Sequence, residues 1–243
     1  PGPAEALALY QWMRRQLGEV VSGIELMSGF GVGLVTGHFA NLRNPLAEPS
    51  EWYVLTELAG HAGLQDNVEG FFGEEIEAGR IADAVLASSE AQRQALWDLR
   101  EHTPEANRLT GAICSSDTSV PIASVERFVA ETHAALAKLH PGLRVNSYGH
   151  IGDGNIHHNV FPPEGVTKPD FVGATPGIIE AVRMAINEVT VACDGAISAE
   201  HGIGRLKVND LARYAQPAKL NTIRAIKAAM DPKNILNPGA LIG

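Results

Sequence analysis

The 243-residue chain has a formal charge of −9, with 45% hydrophobic and 19% charged residues, ordinary values for a globular protein with a real core in one large domain or two small ones. An acidic balance without a Lys/Arg run argues against a nucleic-acid partner, and no apolar run reaches membrane-spanning length: Ile24 to Phe39 is rich in Gly and broken by Ser28, Thr36 and His38. The two cysteines, Cys114 and Cys193, lack zinc-type spacing and make no disulfide framework, so a cytoplasmic protein is expected.

The start, Pro1-Gly2-Pro3, has no Met and no signal-peptide pattern, and reads as a boundary or tag remnant of a longer protein. Ala4 to Leu17 has helical periodicity, and Glu19 to Leu26 reads as extended. Gly29, Gly31 and Gly33 imitate a dinucleotide fingerprint, but Leu34 stands where the third Gly is needed; a Gly-tolerant helix or turn packed closely on a strand is expected instead. A loop over 41–50 leads to a strand over 52–59, a helix over 67–77, a short strand over 81–87, and a helix over 90–100 with Pro104 beyond its end.

The second half is more regular: extended over 113–120, helical over 122–139, strands over 143–150 and 155–161, helical over 176–193, then a short strand after Gly195. Strand–helix–strand–strand–helix–strand is the split βαβ order of ferredoxin-like sandwiches. Residues 19–87 have a similar rhythm. The expected fold is therefore α+β, with two such units side by side, antiparallel sheets carrying helices on one face, and a C-terminal helical segment. The expected divisions are an N-terminal helix (1–18), the paired units (19–202), and a C-terminal segment (203–243) with helices over 209–214 and 217–230 before a turn-rich tail.

The stretch from Tyr148 to Asn159 carries the chemistry. Asp153-Gly154 between alternating residues is a strong hairpin signal. Its pairing sets His150 opposite His157, with Tyr148 and Asn159 on the same face and Ile151 and Ile156 on the core face. Two imidazoles plus one carboxylate compose catalytic zinc sites and those of several other divalent metals, and Glu200 is the candidate third ligand. His158 points away. His201, beside Glu200, is either a general base or a structural His at the Gly202 turn. Arg100 is either a two-pronged clamp for a substrate carboxylate or a surface residue complementing a helix dipole.

Three segments resemble FAD-linked oxidases of the vanillyl-alcohol oxidase superfamily, and within it the D-lactate, D-2-hydroxyglutarate and glycolate dehydrogenases. They are Gly149-His150-Ile151-Gly152-Asp153-Gly154-Asn155-Ile156-His157, Glu200-His201-Gly202-Ile203-Gly204 and Asp231-Pro232-Lys233-Asn234-Ile235-Leu236-Asn237-Pro238-Gly239. Val54-Leu55-Thr56-Glu57-Leu58, Trp97-Asp98-Leu99-Arg100-Glu101 and Asp117-Thr118-Ser119-Val120-Pro121 match in family order. The resemblance implies the substrate, or cap, domain of such an enzyme, with most of the FAD held by an N-terminal domain outside this chain. It further implies a divalent metal, Zn²⁺ foremost, on His150, His157 and Glu200, with His201 taking the α-hydroxyl proton. Arg100 and Asn159 would touch a D-2-hydroxyacid, and Asn237 the flavin side. An unnamed electron acceptor follows from the redox role, with a membrane-peripheral location through it and a homodimer left open. Ser115 stands where hydroxyacid-active members carry Lys, and Ala240 where many have Lys. The rival reading is a metal-binding or interaction domain that keeps the fold without the redox role.

Overall fold

The computed structural model describes residues 2–60 and 63–242. Its strands are β1 (Val21–Ser28), β2 (Trp52–Leu58), β3 (Cys114–Ser115), β4 (Thr118–Ser119), β5 (Arg144–His150) and β6 (Asn155–Phe161). They form one antiparallel sheet in the order β2-β1-β5-β6-β3, with β4 also pairing with β6. The helices are α1 (Pro3–Leu17), α2 (Gly29–His38), α3 (Leu64–Glu77), α4 (Glu90–Glu101), α5 (Thr103–Thr110), α6 (Val125–Leu139), α7 (Lys168–Ala174), α8 (Ile178–Ala192), α9 (Val208–Tyr214) and α10 (Pro217–Met230). Among the described residues no helix is long and apolar enough to cross a membrane.

The α+β class holds, in one continuous sheet rather than separate sheets, and no duplicated ferredoxin-like topology is explicit in it. β1 hydrogen-bonds to β2 on one edge and to β5 on the other, so the first-half strands extend the second half's sheet. Helices also cover both faces rather than one. Ile24 and Leu26 of β1 and Ile156 and Val160 of β6 lie under α1, α6 and α8, where Ala6, Leu7, Phe128, Val129, Val182 and Ile186 close the main core. On the opposite face Val35, Leu42, Leu99 and Ala106 gather α2, α4 and α5 into a smaller cluster.

The helix at Gly29–Gly33 follows the expectation drawn from its glycines. Ser28 caps it by accepting the Gly31 N–H at 3.1 Å, and a Cβ on Gly31 would lie 2.3 Å from Asn146 Oδ1 of β5. The glycine is what lets α2 lie against the sheet.

Other segments depart from the sequence reading. Residues 81–87 form no strand. The helix over 90–100 does end before Pro104, as α4, but a further helix that the sequence reading lacked, α5, follows at once with Pro104 in its first turn, where its missing N–H costs nothing. Residues 113–120 split into two-residue strands, since Ser116 turns to accept the His158 N–H at 2.8 Å and Asp117 turns toward residues 198–201. The strand expected after Gly195 is a single bridge, Ser119 to Ala196.

The β5–β6 turn is centred one residue earlier than the Asp-Gly signal suggested, which slips the pairing by two. His150 pairs with Asn155 and Tyr148 with His157, leaving Ile151–Gly154 as the loop. Ile151 is fully buried in the main core and anchors that loop, a long-range packing effect that local turn chemistry does not contain. The N–H groups of Asp153 and Gly154 both donate to the His150 carbonyl, at 3.3 and 3.2 Å. Gly154 has φ +81°, and a Cβ there would fall 2.0 Å from the Val120 carbonyl oxygen. A two-residue slip preserves the face of every side chain, whereas a slip of one would reverse them all.

Candidate active site on the β5–β6 hairpin

One face of the sheet gathers the reactive side chains. His150 of β5 is diagonal to His157 of β6, not directly opposite it, and the two rings are held by different partners. The His157 Nδ1–H donates to the Ser116 carbonyl at 3.1 Å, which leaves its Nε2 as the acceptor nitrogen. Burial, with the nearby Arg100 charge, holds the His157 pKa below the ordinary imidazole value despite that bond. A neutral ring with a free nitrogen meets the requirement for a metal ligand. His150 donates from Nδ1 to Glu25 Oε1 at 2.5 Å and brings Nε2 to 3.2 Å from Glu200 Oε1. His158 lies on the other face, fully buried, with Nδ1 on the Ser147 hydroxyl at 2.8 Å and its ring edge-on to Phe128.

Glu200 and His201 reach the same place because their backbone wraps around Asp117. Its Oδ2 accepts the N–H groups of Ala199 and His201 at 3.2 and 3.0 Å and the Ser198 hydroxyl at 3.2 Å; its Oδ1 accepts the Glu200 N–H at 3.2 Å. Lys207 Nζ stands 3.5 Å from Oδ2. Burial alone would push the Asp117 carboxyl up. The His201 and Glu200 N–H groups and the Lys207 ammonium outweigh it and hold the carboxyl below its ordinary range. Gly202, at φ +70°, completes the turn that lets adjacent residues face one site. The His201 ring is stacked on His157 with centroids 6.1 Å apart, and its side chain stays 68% exposed.

Arg100, from the last turn of α4, is not a surface residue. Its Nε donates to Glu25 Oε2 at 2.7 Å and its guanidinium carbon lies 4.8 Å from the Tyr148 ring centroid. Burial raises the Tyr148 phenol pKa, opposed by the Arg100 charge. Asn159 accepts from the Ser115 hydroxyl at 2.6 Å, so a neutral pair stands at position 115. Arg100, Ser115, Tyr148, Asn159, the two sheet histidines, Glu200 and His201 all line one cavity of about 370 Å³. Asn237 is not part of it. That residue sits exposed in the tail, in contact with Arg205, and the tail is tied back by the Leu241 N–H to the Gly204 carbonyl at 2.8 Å.

Asp117, Glu200 and His201 also form a cluster whose potential ligand atoms lie within 4.8 Å of one another. The Asp117 oxygens are already occupied by the donors of residues 198–201, which makes Asp117 the anchor of that turn. The donors still free are His157 Nε2, His150 Nε2 and the Glu200 carboxylate, a set of two imidazoles and one carboxylate that fits a divalent metal.

Sequence reasoning missed two members of the site. Glu25 is a carboxylate inside the apolar run Ile24-Glu25-Leu26-Met27, and that misplacement was the available signal. Asp117 stood in a matching segment without a role, and nothing local in its sequence announces the four donors it collects.

Comparison with known proteins now bears on this geometry. The family model described as FAD linked oxidases, C-terminal domain, matches residues 1–241. The chain is 33% identical over 227 residues to a mitochondrial D-2-hydroxyglutarate dehydrogenase of Arabidopsis thaliana, covering 93% of this chain and 38% of that protein. It is 36% identical over 241 residues to the mitochondrial enzyme of Bos taurus (98% and 42%), and 38% over 199 residues to a D-2-hydroxyglutarate dehydrogenase of Xanthomonas citri pv. viticola (81% and 41%). The chain thus spans about two fifths of the length of these relatives. Among solved structures, a 4-ethylphenol oxidase from Gulosibacter chungangensis shares the fold, with TM-score 0.55 at 14% identity over 98% of this chain and 50% of that one. An alkyldihydroxyacetonephosphate synthase does so with TM-score 0.51 at 11% identity, over 97% and 42%. The expected cytoplasmic location is overturned, because several relatives are named mitochondrial. Free thiols speak against an oxidising compartment but do not choose among reducing ones. With the family model matched across nearly its whole length, the chain belongs to the FAD-linked oxidases, as their C-terminal domain.

Proposed function

We propose that this domain forms the substrate side of an FAD-dependent enzyme that oxidises a D-2-hydroxyacid, lactate-, glycolate- or 2-hydroxyglutarate-like. The observation that carries the reading is the convergence of His150, His157, Glu200, His201, Arg100 and Asn159, drawn from three separate stretches of chain, on one cavity. The names of the relatives support the substrate class.

His150 Nε2, His157 Nε2 and the Glu200 carboxylate would hold the metal, with zinc the first choice for that donor set. When bound, the metal supplies Lewis acidity toward the α-hydroxyl and carboxylate, and FAD, held mostly by protein outside these residues, supplies the hydride acceptor. Arg100 binds the substrate carboxylate through the guanidinium edge not engaged by Glu25. Asn159, its oxygen occupied by Ser115, offers its amide N–H groups to the substrate. The exposed, stacked ring of His201 accepts the α-hydroxyl proton at a ring nitrogen. Asn237, on the tail tied to the Gly204 loop, is assigned to the flavin side.

The test is stopped-flow flavin reduction by a D-2-hydroxyacid in the complete flavoprotein carrying His201→Asn. A positioned acid–base group contributes roughly 10²–10⁴-fold, so the rate at saturating substrate should fall by that factor while metal content stays at the wild-type level. Reduction at the wild-type rate would make His201 structural and remove the proposed base.

A further inference from the structure

We propose that Glu25 is a positioning residue that fixes both the metal-facing nitrogen of His150 and the guanidinium plane of Arg100 with its single carboxylate. The inference rests on the reading of His150 as a metal ligand and of Arg100 as the carboxylate-binding group.

Glu25 sits in β1, directly across the ladder from His150. It is 4% exposed, in a strand whose neighbours Ile24, Leu26 and Met27 are all in the core. A carboxylate there is costly unless both oxygens are paired. Both are: Oε1 accepts the His150 Nδ1–H at 2.5 Å and Oε2 accepts the Arg100 Nε–H at 2.7 Å. With Nδ1 committed as donor, the lone pair of a neutral His150 ring is confined to Nε2, the nitrogen facing Glu200 at 3.2 Å. With Nε committed and the guanidinium face resting on Tyr148 at 4.8 Å, Arg100 keeps only its outer edge for an incoming anion. Two groups of separate function thereby share one orienting residue, brought from 75 and 125 positions away in sequence.

The chemistry requires a carboxylate. Both partners are donors, so an amide of the same shape can serve only one with its carbonyl and meets the other donor with its NH₂ group. If the His150 ring re-protonates to accept from that NH₂, its proton moves to Nε2 and the metal-facing lone pair is lost. A shorter Asp reaches one partner at the expense of the other.

An ion pair that merely stabilised the fold would change the melting temperature and nothing else. The experiment therefore reads Zn²⁺ affinity of the 243-residue chain by competition with a chromogenic chelator, and D-lactate binding to the zinc-loaded chain by calorimetry. Wild type is compared with Glu25→Gln and Glu25→Asp. Loss of an outer-shell partner typically weakens metal affinity about 10–100-fold. We expect that loss in Glu25→Gln, at least a tenfold loss of D-lactate affinity with it, and no recovery in Glu25→Asp. Zinc affinity within twofold of wild type in a folded Glu25→Gln chain would overturn this inference alone. Failure of the wild-type chain to take up zinc would overturn the metal reading and this inference with it. Should Glu25→Gln not fold, long-range ¹H–¹⁵N spectra of the zinc-loaded wild type decide. They must show His150 protonated at Nδ1 and metal-bound at Nε2, and the reverse assignment would refute the role given to Glu25.

Discussion

Replacing Asp117 by Asn tests how Glu200 and His201 come to share one site. The wild-type carboxylate accepts the Ala199 and His201 N–H groups and the Ser198 hydroxyl on one oxygen and the Glu200 N–H on the other, with Lys207 beside it. An Asn carbonyl in the place of Oδ2 keeps the first three as neutral bonds but turns an NH₂ group toward the Glu200 N–H. Hydrogen bonds to charged groups contribute about 1.5–3 kcal/mol and neutral ones about 1 kcal/mol, so one loss and three weakenings amount, at the lower end of those ranges, to roughly 3 kcal/mol or more. The donors of residues 198–201 border solvent, and water recovers part of that. About 2–4 kcal/mol of local stability should go, which at 1.4 kcal/mol per decade is roughly a 30- to 700-fold faster opening of the turn. Native-state hydrogen exchange reads this directly: the amides of Ala199, Glu200 and His201 should lose that protection while those of α6 keep theirs. Equal protection of the three amides in Asp117→Asn and wild type would refute the anchoring role.

Two further expectations concern the fold beneath the site. Gly154→Ala forces a left-handed residue and a Cβ onto the Val120 carbonyl; it should cost at least about 2 kcal/mol in urea unfolding, and an unchanged midpoint would contradict the loop geometry. Burial holds the pKa values of His133, His157 and His158 below the ordinary imidazole value, most strongly for His158. The unfolded chain therefore takes up these protons first, so stability is present above about pH 6.5 and declines as pH falls below it, by up to about 1.4 kcal/mol per pH unit for each ring until its folded-state pKa is reached. Urea midpoints of the metal-free chain between pH 7.5 and 5.5 should fall accordingly, and a flat series would mean that these rings are not neutral in the fold.

The sequence made the hairpin, both of its histidines and the Glu200–His201 pair legible because turn chemistry and side-chain alternation are local. It even tolerated a wrong register, since a two-residue slip leaves His150 and His157 on one face. The single sheet was not legible: the β1–β5 pairing joins residues more than a hundred positions apart and depends on Glu25 meeting His150 across the ladder. The second helical layer was missed for a related reason. The expected helix ends before Pro104, but nothing local announces that Pro104 opens another, and the cluster of Val35, Leu42, Leu99 and Ala106 on that face exists only once α2, α4 and α5 are assembled. Arg100 showed the same ambiguity at smaller scale, its helix-end position fitting a surface residue equally well until Glu25 and Tyr148 enclose it.

The central claim is that two sheet histidines and Glu200, rather than the tighter grouping of Asp117, Glu200 and His201, hold a metal. A crystal of the zinc-incubated protein, measured on both sides of the zinc absorption edge, addresses it most directly. The account predicts one anomalous peak about 2.0–2.2 Å from His150 Nε2, His157 Nε2 and a Glu200 oxygen, absent from crystals of His157→Ala. A peak bonded to Asp117 and His201 without the sheet histidines, or none at full zinc loading, would contradict it.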